Sequence, residues 1–197
     1  MDVHAVKGWA APLQRGSGMV TVLVMLVMLA MPASARERTP FAAHTGMEVA
    51  QSAAKVWAED AVLVYVENDE AVGRDGSAER WGYLFFSPAT QRSRAYSVRE
   101  GQVLAAEDLS MDFVAPPVAA QWIDSGAALA AAEANVGREF REKHAGVIGT
   151  MLLARGVFAE GSPDQTNWVL VYTSPGQPSL FVVVDATKGR VRRTWRG

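Results

Sequence analysis

The chain has 197 residues, 49% of them hydrophobic and 20% charged, with no cysteine and a formal net charge of −2. That composition belongs to a folded globular chain, while the lack of cysteine excludes disulfide staples, thiol nucleophiles and thiolate metal sites. So mild a charge excludes the basic patch that nucleic acid requires, so no nucleic-acid partner is expected.

Residues 1–18 carry Lys7 and Arg15 against Asp2 and lead into Met19–Met31, thirteen residues without a charge, followed by Ala33-Ser34-Ala35. A basic start, a short apolar run and an A-x-A site predict a secretory signal peptide over residues 1–35, because the run falls short of the ~20 residues that cross a bilayer. The alternative is an uncleaved membrane anchor. There is no cysteine to carry a lipid and no Arg-Arg pair before the apolar run, so export unfolded by the general route is expected. The compartment is then the periplasm or the exterior, with no stable membrane insertion after cleavage. Removal of residues 1–35 leaves 17 basic and 20 acidic residues, a net charge of −3. The remaining length suits one domain or two very small ones.

Residues 36–44 are polar and contain Pro40, which predicts a flexible lead. Thr45-Gly46-Met47-Glu48 fits a capping box, and Ala50, Ala53, Ala54 and Trp57 then form one stripe of an amphipathic helix ending near Glu59. Ala61–Val66 is β-branched and aromatic and predicts a strand. A turn-rich stretch, 68–77, follows, and then strands at 80–87, 92–98 and 102–105, separated by Ser87-Pro88 and Glu100-Gly101. Ala115-Pro116-Pro117-Val118 breaks the pattern and marks a boundary. Asp124-Ser125 offers an N-cap for a second helix over 126–143, with Leu129, Ala132, Val136 and Phe140 on its stripe and Gly137 as a point where it kinks or shortens. Strands recur at 150–157, 167–173, 179–185 and 190–194.

The two halves have the same order of parts. At an offset of 87, Trp81-Gly-Tyr-Leu-Phe-Phe-Ser-Pro88 overlies Trp168-Val-Leu-Val-Tyr-Thr-Ser-Pro175, and one residue further on Gly101 meets Gly189 and Val103 meets Val191. Alternation sends Trp81, Tyr83 and Phe85 to one face of their strand and Leu84 and Phe86 to the other, so both faces are apolar and need cover. One helix covers one face, and the other half of the chain is the expected cover for the second. The fold class expected is therefore α+β: a first repeat over 45–113 and a second over 114–197, each one helix packed on a small antiparallel meander, the two paired with approximate symmetry.

The second half, with Trp168, Tyr172, Asp185, Ala186, Gly189 and Val191, resembles the PepSY domain, a module of peptidase propeptides and of many exported bacterial proteins. In the first half Trp81, Phe85, Gly101 and Val103 agree, but Ser97, Val98 and Arg99 stand where Asp185, Ala186 and Thr187 would be. The resemblance covers about residues 45–195. It implies an extracytoplasmic, non-enzymatic module, in some members restraining a peptidase, and it carries no catalytic residue.

The residues themselves point the same way. After cleavage only His44 and His144 remain, in no metal-binding spacing, and they read as exposed side chains. Glu67, Asp69, Glu70 and Asp75 lack the spacing of a calcium loop and read as a solvated turn. Ser125 sits in no nucleophile elbow and reads as a cap. Asp185, with Asp164 or Glu160, could be imagined as a carboxylate pair, but it opens a turn in which an Asx side chain bonds the backbone. No Gly-rich phosphate cradle is present. Trp57, Trp81, Trp122 and Trp168 are assigned to packing rather than to a ligand cleft. Trp195, beside Arg192, Arg193 and Arg196, reads as a frayed end, with contact to a partner or a lipid surface as the alternative. No catalytic residue, metal or cofactor is expected. The function expected is a binding or regulatory module docked on a protein, through an edge strand or the surface between the halves. Its alternatives are a carrier of a small apolar ligand held between helix and sheet, and a hydrolase whose site escapes recognition.

Overall fold

The computed structural model describes residues 39–110, 115–158 and 163–197. They belong to one compact unit, Arg36–Gly197; the expected signal peptide lies outside the described residues. Helix α1 (Ala43–Trp57) precedes strands β1 (Val62–Asn68), β2 (Trp81–Ser87), β3 (Arg92–Arg99) and β4 (Gln102–Leu109). A second helical run follows, made of α2 (Ser125–Ala132), a π-helical stretch (Glu133–Gly137) and α3 (Arg138–His144). Strands β5 (Val147–Arg155), β6 (Thr166–Ser174), β7 (Gln177–Asp185) and β8 (Arg190–Arg196) complete the unit.

All eight strands form one sheet in the order β4-β3-β2-β1-β5-β6-β7-β8, each neighbouring pair antiparallel. This overturns the expected pair of repeats, each a helix on its own small sheet. Strand β1 pairs directly with β5, with Tyr65 opposite Ala154 and Val66 opposite Leu153, so the halves lie side by side and neither covers the other's second face. The physical reason lies in β1 and β5 themselves. Each is the first strand after its helix and would be an unpaired edge in a four-stranded sheet; joining them satisfies both rows of backbone groups.

The helices pack on one face. Trp81, Tyr83, Phe85, Trp168, Leu170 and Tyr172 are buried there with Ala50 and Ala54 of α1 and Leu129, Ala132 and Phe140 from the second helical run. Trp81 and Trp168 meet edge-to-face at 6.1 Å, a favoured aromatic geometry. Each indole also finds an acceptor just before a helix: Trp81 Nε1 donates to the Phe41 carbonyl and Trp168 Nε1 to that of Ile123, both at 2.8 Å. Burying an indole unpaired would be costly, so these bonds tie each second strand to the start of its helix.

The start of α1 departs from the expected capping box. The helix begins at Ala43, its N-cap Ala42 has no side-chain hydrogen bond, and Phe41 bridges to Ala78 instead of belonging to a flexible lead. The caps come from 80 residues away. The Ala43 N–H donates to Ser125 Oγ (3.1 Å) and the His44 N–H to Asp124 Oδ1 (3.0 Å). The same Asp124 oxygen accepts from Ser125 N–H at the start of α2 (2.8 Å). Two positive helix ends therefore meet at one carboxylate, which satisfies donors of both and offsets their dipoles. Ser125, expected to cap its own helix, caps the other.

Gly137 explains the π-helical stretch. A Cβ there would collide with the buried Tyr172 hydroxyl, so the widened turn accommodates the tyrosine from β6 and only glycine fits beside it. Glu133, in the same stretch, accepts from Arg141 Nε at 3.0 Å. Burial pushes the Glu133 carboxyl up, yet the Arg141 guanidinium outweighs it and leaves the group below the usual carboxylate range.

Candidate interaction surface

Strands β4 and β8 are the outer strands of the sheet, and they differ in chemistry. Strand β4 is exposed along most of its length and carries Leu104, Glu107 and Asp108; Asp108 is neutralised by Arg92 and Arg94 of β3. Strand β8, Arg-Val-Arg-Arg-Thr-Trp-Arg, carries four arginines and no acid. Its alternation is clear from its pairing. Ser179 and Gly197 exchange both backbone hydrogen bonds (2.8 and 3.0 Å), so Trp195 opposite Phe181 and Arg193 opposite Val183 are bonded inward as well, while the backbone N–H and C=O of Thr194 and Arg196 point away from the sheet. Among the described residues no strand pairs with that outer row.

On the helix face, Thr194 and Arg196 border a groove of about 390 Å³ whose floor and far wall include Val136, Phe140 and Leu180. The Arg196 guanidinium lies 4.5 Å from the centre of the Phe140 ring and its Nε donates to the Pro178 carbonyl at 3.1 Å. Glu139 and Lys143, also at the groove, are paired with each other at 2.5 Å. On the other face, Trp195 stacks on Phe181 with centroids 4.8 Å apart and planes 4° from parallel. Phe158, 46% exposed, leans on the same indole at 4.9 Å, and the Arg193 guanidinium sits 5.2 Å from it, within cation–π range. The chain end read as frayed is instead an ordered strand. Its aromatic and its cations were visible in the sequence. Phe158, Phe181 and the groove were not, since they reach β8 from distant segments with no shared motif.

The candidates for chemistry lie apart and are engaged elsewhere. Asp185 is buried and accepts from the N–H groups of Thr187 and Lys188, both at 3.0 Å, and from the Thr187 hydroxyl at 2.8 Å. Burial raises its carboxyl, but those hydrogen bonds hold it below the usual range; Gly189, at φ +66°, closes the turn in a conformation that favours glycine. Asp164 pairs with Arg155 at 2.8 Å, and Glu160 lies outside the described residues. In the acidic turn, Asp69 and Glu70 face Arg80 (3.5 and 3.3 Å), Arg99 adds a second contact to Glu70 at 3.0 Å, and Asp75 accepts from Ser77. His44 is exposed, as expected, and its ring lies 3.8 Å from Trp122, which in turn meets Trp168 at 5.8 Å. His144 rests against Phe140. Among the described residues no group of three His, Asp or Glu is placed to hold a metal, and no helix is long and apolar enough to cross a membrane.

Fold and surface together define a single antiparallel sheet with one layer of helices on one face and a basic, aromatic outer strand. A solved structure of similar fold is that of a "putative lipoprotein" from Clostridium difficile, similar at a TM-score of 0.52 and 12% identity over 75% of this chain and 90% of the other. No family model and no curated protein matches the chain, so the PepSY resemblance gains no support from a family match.

Proposed function

We propose that the chain is an exported, non-catalytic binding module, PepSY-like in its second half, that docks on a protein partner through β8 and the surfaces beside it. The observation that carries this reading is the unpaired backbone row of Thr194 and Arg196, flanked by a groove on one face and by the Trp195–Phe158 pair on the other. Soluble proteins usually blunt such an edge. The engagement of Asp185, Asp164, Asp69 and Ser125 in turns, ion pairs and caps supports the non-catalytic part, and the resemblance to PepSY extends the role to restraint of a peptidase. The test is a photo-crosslinking side chain placed at 194 or, as a control, at the exposed Val56 of α1, in the full chain expressed in an exporting bacterium. A discrete adduct at 194 and none at 56, on a chain whose N-terminus is Arg36, is expected. Equal adducts at both positions, or none, reject the reading.

A second reading is favoured by the groove itself. Its volume of about 390 Å³ and its lining of Val136, Phe140 and Leu180 suit a small apolar ligand. Native mass spectrometry of the exported protein separates the two, since a carrier shows a constant added mass and a docking module does not.

A further inference from the structure

We infer that the partner's contribution is an extended segment bearing carboxylates among apolar side chains, which adds to the sheet as a ninth strand beside β8. This rests on the docking role proposed above and specifies its chemistry. Strand addition needs an accessible row of donors and acceptors, and Thr194 and Arg196 supply two of each in one line. Roughly four to six residues would span that row at a rise of ~3.4 Å each.

The side chains of an added strand alternate between the two faces of the sheet. Those on the helix face fall over the groove, where Phe140, Leu180 and Val136 offer apolar contact. Those on the other face fall beside Trp195 and Phe158. Both surfaces accept apolar or aromatic groups, so an alternating or continuous apolar segment fits.

Charge selects among such segments. Arg190, Arg192 and Arg196 fall within seven residues, and among the described residues the acid that faces them is Asp185, 3.9 Å from Arg192 and itself committed to its own turn. The chain as a whole is slightly acidic, so this concentration of guanidinium groups stands against the average. It favours Asp or Glu on an incoming segment, through bidentate pairing as well as field, and it repels a Lys- or Arg-rich one. The outer edge of β4, with Glu107 and Asp108, lacks this character.

The experiment selects peptides from a random displayed library on the full chain, then measures synthetic versions by fluorescence anisotropy at two salt concentrations. The enriched peptides should be rich in Asp and Glu and poor in Lys and Arg. Thr194→Pro removes an outward N–H without touching a bond to β7, a position where an edge strand tolerates proline; it should weaken binding at least tenfold with an unchanged denaturation midpoint. Should that variant fold poorly, N-methylation of alternate peptide amides replaces it: one alternation abolishes binding to the wild-type chain and the other does not. Arg190→Glu with Arg192→Glu should weaken acidic peptides at least tenfold and flatten their salt dependence. Basic peptides in the enriched pool, N-methylation without effect, or binding to phosphatidylglycerol vesicles in place of peptides would each overturn the inference. Ligands that bind Thr194→Pro undiminished would overturn strand addition at β8 while leaving a docking role intact; a library with no enriched peptide, together with no adduct at 194, removes both.

Discussion

Replacing Asp124 with alanine should damage two helices at once. Its Oδ1 accepts from His44 N–H at the start of α1 and from Ser125 N–H at the start of α2, at 3.0 and 2.8 Å. Loss of a capping side chain typically costs ~1 kcal/mol per helix, and the interaction of a carboxylate with a helix end adds ~0.3–1 kcal/mol for each. The charge part is discounted toward its lower end because the side chain is 31% exposed and salt screens it. The total is about 2.5–3 kcal/mol, more than one ordinary cap supplies. For a unit of this size each kcal/mol moves Tm by ~2–4 °C, so a fall of roughly 5–12 °C is expected. Asp124→Asn separates the two contributions, since the amide keeps an acceptor and loses the charge; its cost should be about 1 kcal/mol or less. Urea denaturation followed by tryptophan fluorescence is the assay, because Trp122, Trp168 and Trp81 lie in sequence from this junction into the core. A loss below ~1 kcal/mol for Asp124→Ala would refute a cap shared by both helices, and equal losses for alanine and asparagine would refute the division into hydrogen bond and charge.

The same junction shows why some of this fold was legible and some was not. Local periodicity located the helices and most strands: Trp81 and Trp168 fall on β2 and β6, and the Asp185 turn bonds as its sequence suggests. The capping box Thr45–Glu48 satisfied every local rule, yet the helix starts two residues earlier, at Ala43, and its first N–H groups, those of Ala43 and His44, are taken by Ser125 and Asp124. Nothing within a window of residues announces an acceptor 80 positions away. The pairing of β1 with β5 was hidden for a similar reason. Both strands present apolar side chains on both faces, a pattern equally consistent with burial between stacked sheets and with a central place in one wide sheet. Strand β4 extends to Leu109, past the expected end at 105, because Ala105 to Asp108 have little strand preference of their own and pair in register with β3. At the interaction surface the arginines and Trp195 could be picked out, but their order as a strand depends on β7, which gives Trp195 a ring to stack on.

A wide sheet also explains where function is affordable. Joining β1 to β5 removes two inner edges and leaves two outer ones, at β4 and β8. The helices cover one face, and Phe158 with Trp195 lies on the other at the β8 end. The core near Trp81 and Trp168 is fully buried, and substitutions there act on stability. Chemistry directed outward is concentrated on the strand farthest from that junction, so changes at Thr194 or Arg190 should alter binding with little change in folding.

Acid should destabilise the fold. Hydrogen bonds with Ser87 and Ala89 hold the Asp60 carboxyl below its ordinary value, Ser77 does the same for Asp75, and Glu133 and Asp185 are also lowered. A carboxyl whose folded pKa is depressed contributes stability above the unfolded value of ~4 and loses it as pH falls through the folded one. The urea midpoint should therefore drop from pH 5 toward pH 3, and a midpoint that rises over that interval refutes the assignment. Burial first of all raises the phenols of Tyr83 and Tyr172, so alkali above ~10 should destabilise as well; a midpoint unchanged between pH 9 and 11 counts against it. Gly137→Ala offers the sharpest contrast with propensity. Alanine in place of glycine within a helix ordinarily gains up to ~1 kcal/mol, whereas here the new methyl meets the Tyr172 hydroxyl, and a net loss of about 1–3 kcal/mol follows from overpacking. Tyr172→Phe removes the obstructing oxygen, whose polar neighbour is the Glu133 carboxylate already held by Arg141, and should restore most of that loss in the double variant. Additive losses in the two single variants and their combination would show that the hydroxyl is not what requires glycine at 137, and the account of the π-helical stretch would fall with it.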